Sequence, residues 1–145
     1  MKHRILLFLL ILALVLAVHA FVTPTRAGVT AHVDVPSQTM RVVVDDDVVY
    51  EWPVSTAGRG ALTPGGVFTP YWLSPTHRSK KYRGAPMPHA VFYSGDYAIH
   101  GTKDEHLLGR PASRGCVRLS REHARIFFML VQSHGKQNTT IVITR

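Results

Sequence analysis

Hydrophobic and polar residues alternate at residues 40–45, with Met40, Val42 and Val44 on one side and Arg41, Val43 and Asp45 on the other. That period of two predicts a strand with one face on a core. Asp45-Asp46-Asp47 is a polar break, after which Val48, Tyr50 and Trp52 share one side of residues 48–55, predicting a hairpin. Residues 31–35 predict another strand, separated from Met40 by a turn at Pro36-Ser37-Gln38. Between residues 56 and 88 the alternation dissolves. Glycines at 58, 60, 65, 66 and 84 and prolines at 64, 70, 75, 86 and 88 interrupt any long element, leaving residues 67–73 as one candidate strand. An irregular stretch of this length predicts a lid or substrate-binding loop. Residues 90–93 and 97–99 predict two strands joined through Ser94-Gly95-Asp96, the second delivering His100 at its end.

The period changes to that of a helix after residue 120. Ser120 is a suitable N-cap, Ala124, Phe127, Phe128 and Val131 form the stripe of a core-facing helix, and Gly135 is placed to end it. Residues 139–144 are rich in β-branched side chains and predict a closing strand. The sum is a mostly-β domain with one packed helix just after the sole cysteine.

The N-terminus reads differently. Lys2 and Arg4 precede an apolar run from Ile5 to Val18, and Val18-His19-Ala20 offers small residues at a cleavage position. Residues 1–20 are therefore expected to be a signal peptide, with an uncleaved anchor as the alternative. Residues 21–29 read as a linker and 30–145 as one folded domain, which places the protein in the periplasm or cell wall. The formal net charge is +8, and still +6 once Lys2 and Arg4 are set aside. The cations are scattered apart from Arg78-Ser79-Lys80-Lys81-Tyr82-Arg83, without the basic stripe and interleaved aromatics of a nucleic-acid binder. Export also argues against nucleic acid as a partner. An anionic polymer outside the cytoplasm fits the charge better.

Cys116 is the chain's one cysteine. In an oxidising compartment a structural cysteine normally has a partner. This one is an inert buried thiol, half of an intermolecular bridge, or a nucleophile. Its neighbours Gly115, Arg114 and Arg118, with His100 sixteen residues upstream, favour the nucleophile. A thiolate needs a base or a positive field, and an imidazole near neutrality supplies the first. Arg114 and Arg118 are placed to lower the thiol pKa. The amides of Gly115 and Cys116 are candidates for an oxyanion hole, worth on the order of 3 kcal/mol per donor. Taken alone, the pair is equally compatible with a buried cysteine beside an unrelated histidine. His89, His106, His123 and His134 lack the spacing of a metal site.

The longer pattern separates these readings. His100-Gly101-Thr102, Leu108-Gly109-Arg110-Pro111 and Ser113-Arg114-Gly115-Cys116-Val117-Arg118-Leu119 together resemble the L,D-transpeptidase catalytic (YkuD-type) family. That family shows H-G, a spacer, then S/T-H-G-C-x-R. Upstream blocks extend the resemblance to Val54-Ser55-Thr56-Ala57-Gly58, Thr63-Pro64-Gly65-Gly66-Val67-Phe68 and Met87-Pro88, nearly the whole predicted domain. It implies a β-sandwich or barrel-like fold with Cys116 as nucleophile and His100 as base. The Gly101 carbonyl would hold the imidazole, and Gly115 would shape the oxyanion site. Ser113, Arg114 and Arg118 would be substrate-binding, with Arg118 meeting a carboxylate.

The implied substrates are peptidoglycan stem peptides, as donor and acceptor. The thiolate would attack the third stem residue, release D-alanine and pass the acyl group to an amine, giving a 3→3 cross-link. No metal or organic cofactor is implied, and contact with a membrane is implied only through an uncleaved leader. Carboxypeptidase or lipoprotein-anchoring variants of the chemistry, and a non-catalytic wall-binding module, are the alternatives. Sortase-like enzymes carry a different cysteine motif, and papain-like and NlpC/P60-type hydrolases reverse the order of Cys and His. The departure from the family is Arg114, where histidine is usual. Arginine cannot exchange protons near neutral pH, so it is expected to hold a fixed charge beside the thiol.

Overall fold

The computed structural model describes residues 28–145, so the expected leader and all but the last two residues of the expected linker lie outside the described residues. The first strand, β1 (Val29–Asp34), begins inside that linker. β2 (Thr39–Val44) and β3 (Asp47–Pro53) follow as the expected hairpin. Short β4 (Gly66–Phe68) precedes β5 (Trp72–Ser79), β6 (Ala85–Ser94) and β7 (Tyr97–Thr102). β8 (Val117–Ser120) leads directly into helix α1 (Arg121–His134), and β9 (Thr139–Thr144) closes the chain. One sheet runs β3-β2-β1-β9-β4 and the other β5-β6-β7-β8.

Alternation decides which face each strand buries. Val29, Ala31 and Val33 of β1, Met40 and Val42 of β2, and Ile141 and Ile143 of β9 line the inner face of the first sheet. Val91 and Tyr93, Ile99, and Val117 and Leu119 meet them from the second. Helix α1 joins this core through Ala124, Phe127, Phe128 and Val131, the stripe read from its spacing. Ser120 accepts the His123 N–H at its start, and the Gly135 N–H bonds the Val131 carbonyl at its end.

The stretch expected to be irregular is so over residues 56–65, the candidate strand at 67–73 is divided between β4 and the start of β5, and the rest is instead part of a long hairpin. β5 and β6 pair antiparallel from Trp72↔Phe92 to Ser79↔Ala85, with prolines 75, 86 and 88 inside the strands. β5 is an edge strand. Pairing of β6 with β7 covers only Val91 to Ser94, so the proline-bearing end of β6 has no ladder to serve on its second side. The even positions Ala90, Phe92 and Ala98 face away from the main core as a second apolar cluster, with Cys116 packed against it. The second sheet therefore has one face for stability and one for a cavity.

Candidate active site

β7 and β8 are parallel neighbours, with Ile99 paired to Val117 and His100 to Arg118. Continuing that register by one residue brings Cys116 beside Ala98. His100 lies two residues from Ala98 on the same face, a diagonal of about 7–8 Å between backbones. Both side chains line one cavity of about 1160 Å³. The sixteen-residue gap in sequence thus becomes adjacency through a parallel strand pair.

The loop carrying the thiol is fixed from within and from upstream. Ser113 Oγ donates to the Cys116 carbonyl at 2.6 Å and accepts the Gly115 N–H at 3.0 Å. Thr63 Oγ1 donates to the Gly115 carbonyl and accepts the Ala57 N–H, both at 2.9 Å. The Ala112 and Ser113 amides bond the Thr56 carbonyl, and Ser55 exchanges both backbone bonds with Arg118. Thr56 is held in turn by buried Gln38, which accepts its N–H at 2.9 Å and donates to its hydroxyl at 2.6 Å. Gly115 has a φ of 129°, and a Cβ there would lie 2.5 Å from the Tyr97 ring and 2.9 Å from the Leu62 carbonyl. Gly101 is required for a different reason: a Cβ would meet Arg121 Cα at 3.1 Å and Pro88 Cγ at 3.2 Å, where α1 begins.

Two expected roles change with this geometry. The Gly115 amide is engaged by Ser113, which leaves the Cys116 amide as the freer of the two expected oxyanion donors. Ser113 lines the cavity, yet its hydroxyl is bonded twice inside its own turn. Arg114 also lines the cavity, but its guanidinium lies 4.8 Å from the Tyr82 ring centroid, on the tip of the β5–β6 hairpin. Arg118, not Arg114, supplies the positive charge that bears on the thiol.

The electrostatics describe a neutral resting pair. Burial pushes the Cys116 thiol above its ordinary value, against the Ala98 N–H and the Arg118 charge, while Asp96 adds to the rise. The thiol itself points to the Asp96 carbonyl at 3.8 Å. Burial lowers His100 to about 4, opposed by its bond to Gly101 and reinforced by Arg118 and His77. His100 Nδ1 lies 2.8 Å from the Gly101 carbonyl. A carbonyl only accepts, so Nδ1 carries the proton and Nε2 presents a lone pair. Such a pair can move the thiol proton onto Nε2 as sulfur approaches a carbonyl.

His77, Tyr97, Thr63 and Gln38 were not singled out from sequence. Only Thr63 carried a signal, inside the Thr63-Pro64-Gly65-Gly66 block. Among the described residues, no group of three or more His, Cys, Asp or Glu is placed to hold a metal ion.

Comparison with known proteins places this arrangement. No curated protein shows significant sequence similarity to the chain. Among solved structures, an L,D-transpeptidase from Mycobacterium smegmatis is similar with a TM-score of 0.72 and 22% identity, over 82% of this chain and 59% of that one. The L,D-transpeptidase (residues 123-326) from Xylanimonas cellulosilytica is 26% identical with a TM-score of 0.67, over 84% and 63% of the two chains. L,D-transpeptidase 3 from Mycobacterium tuberculosis, in complex with a faropenem-derived adduct, gives a TM-score of 0.69 at 17% identity, over 82% and 61%. The matched region therefore spans less than two thirds of these relatives' lengths. The family model for the L,D-transpeptidase catalytic domain (YkuD) matches residues 28–143, and with His100, Ser113, Arg114 and Cys116 lining one cavity of a two-sheet domain, the chain belongs to that family.

Proposed function

We propose that the protein is an exported peptidoglycan L,D-transpeptidase in which Cys116 is the nucleophile and His100 the general base. Sγ attacks the carbonyl of the third residue of a tetrapeptide stem as its proton passes to His100 Nε2. The bond to the terminal D-alanine breaks, and His100 returns the proton to the departing amine. The resulting thioester is attacked by an amine of a second stem. His100 takes the amine proton and the sulfur leaves, regaining a proton from the same imidazole. The observation that carries this reading is the single cavity holding Cys116 and an imidazole whose Nδ1 is anchored on Gly101.

The charge of the cavity supports an anionic substrate. Lys80, Lys81, Arg83, Lys103, Arg114, Arg118 and Arg121 line it, with Asp96 and Asp104 as its acids. Stem peptides carry several carboxylates, and guanidinium groups pair with these most strongly. Water or a lipoprotein lysine in place of the second stem gives a carboxypeptidase or an anchoring enzyme by the same steps.

Intact-protein mass spectrometry with a tetrapeptide stem, and separately with faropenem, tests the proposal. Wild type is expected to form an acyl adduct with each and to release D-alanine from the stem, and Cys116→Ala to do neither. Cross-linked dimer identifies the transpeptidase, and tripeptide alone the carboxypeptidase. A folded, reduced wild-type protein that forms no adduct overturns the reading.

A further inference from the structure

The cavity extends beyond His100 and Cys116, and part of its lining is aromatic: Tyr71, Trp72, His77 and Phe92. Trp72 stacks on Phe92, with ring centroids 4.6 Å apart and an interplanar angle of 21°. His77 stands across the edge of this stack, at 88° to Trp72 and 80° to Phe92. Trp72 and His77 are five residues apart on one strand, so ordinary alternation would send them to opposite faces. The ladder skips Pro75 and His89 between the Ser74↔Ala90 and Thr76↔Pro88 pairs, and His89 has a φ of 53°. That irregularity aims both rings into the same space.

The shelf is held rigid yet left open. The Tyr71 hydroxyl donates to the Gly95 carbonyl, and Lys136 Nζ donates to the Tyr71 carbonyl at 2.6 Å. Trp72 nevertheless remains 44% exposed. A large aromatic face, flat and immobilised inside a cavity, is a seat for a ligand ring rather than part of the core.

Its position identifies the ring. Trp72 pairs with Phe92, Phe92 with Ala98, and Ala98 lies beside Cys116, one row across four strands. Three strand spacings separate the backbones of Trp72 and Cys116 by about 14 Å. Three extended residues, from the attacked carbonyl back to the start of a stem, reach about 10 Å. The group joining the stem to its sugar covers the remainder. The cavity's cations lie instead on the hairpin tip, at Lys80, Lys81 and Arg83, and on the segments carrying Lys103, Arg114, Arg118 and Arg121.

We infer that the Trp72–Phe92 shelf binds the sugar carrying the donor stem, laying a pyranose on Trp72 with His77 at its hydroxyl edge. The inference rests on the proposed transpeptidase reading. It makes the protein a reader of glycan as well as peptide.

Two measurements on the full-length protein test it. The first compares kcat/KM for a disaccharide-tetrapeptide and for the free tetrapeptide. Wild type is expected to prefer the sugar-bearing donor about tenfold, the scale of one aromatic stacking contact. Trp72→Ala should collapse the ratio to near one, and Trp72→Phe should keep most of it. Equal use of both donors by wild type, or a preference surviving in Trp72→Ala, overturns the inference. So does an equal loss on both donors, which would make the shelf a peptide subsite. The second titrates Cys116→Ser with the peptide-free disaccharide, following tryptophan fluorescence. Trp52 is 6% exposed, so the signal reports Trp72. Quenching of Trp72 by the disaccharide supports the shelf even if neither donor turns over, and no quenching at millimolar sugar overturns it.

Discussion

Acid should unfold this domain earlier than its carboxylates alone require, and His100 should be the main cause. Its pKa is lowered from 6.5 to about 4 by burial, partly opposed by the Gly101 bond. A group depressed in the folded state binds more protons when unfolded at every pH between the two values. Its stabilising contribution is complete above pH 6.5 and is lost as pH falls towards 4. A separation of about 2.5 units corresponds to about 3 kcal/mol, a large share of a typical domain's 5–15 kcal/mol. His89 is also lowered, by burial and then by Arg125, so it acts in the same direction. Urea midpoints for wild type, His100→Gln and His89→Gln, taken every half unit from pH 7.5 to 4.5, separate the two. The carboxylate contribution is common to all three proteins and cancels in the differences. His100→Gln should flatten the slope above pH 5 more than His89→Gln does. If His100→Gln follows the wild-type slope, the imidazole is not held neutral by its surroundings and the resting-state argument fails.

Removing charge from the site should separate the two arginines. Arg118→Ala is expected to raise the thiol pKa further and Arg114→Ala to leave it nearly unchanged, read from the pH dependence of iodoacetamide alkylation. Arg114→Ala should instead weaken closure of the hairpin tip over the cavity, by about 1 kcal/mol for a cation–π contact, and appear as a raised KM. Gly115→Ala should cost about 3 kcal/mol or more, from strain at a positive φ plus a clash with Tyr97, as a lowered melting temperature and loss of adduct formation. Thr63→Val keeps the shape but strands the Gly115 carbonyl and the Ala57 amide, and should destabilise by roughly 2–4 kcal/mol in urea.

β1, β2 and β9 of the first sheet were legible because each buries one face, whereas β3, of which only Trp52 is buried, was legible as the partner of β2 across the Asp45–Asp47 break. Met40 and Val42 alternate with polar or half-exposed neighbours, and Ala124, Phe127, Phe128 and Val131 repeat at helical spacing. The β5–β6 hairpin was not. Its prolines argue against strands in general, and are tolerated here because β5 is an edge and half of β6 has one neighbour. Short β8 was hidden too, since Val117–Ser120 sits between a glycine loop and a helix and is long enough only when paired with β7. His100 and Cys116 were legible as a motif, but their adjacency depends on a parallel register that no local pattern encodes. The resting place of Arg114 was illegible for the same reason. Tyr82 lies thirty-two residues away and meets Arg114 only because the hairpin folds back over the cavity.

The raised thiol pKa has a protective side. Oxidants, alkylating agents and stray disulfides all consume thiolate. Cys116 in the folded protein offers less of it at neutral pH than the same residue would in an unfolded chain. Its hydrogen-bonded loop is assembled from residues as distant as Gln38 and Thr63. On the proposed reading, reactivity is stored rather than displayed: the sulfur stays quiet towards small electrophiles until a carbonyl is seated beside Nε2.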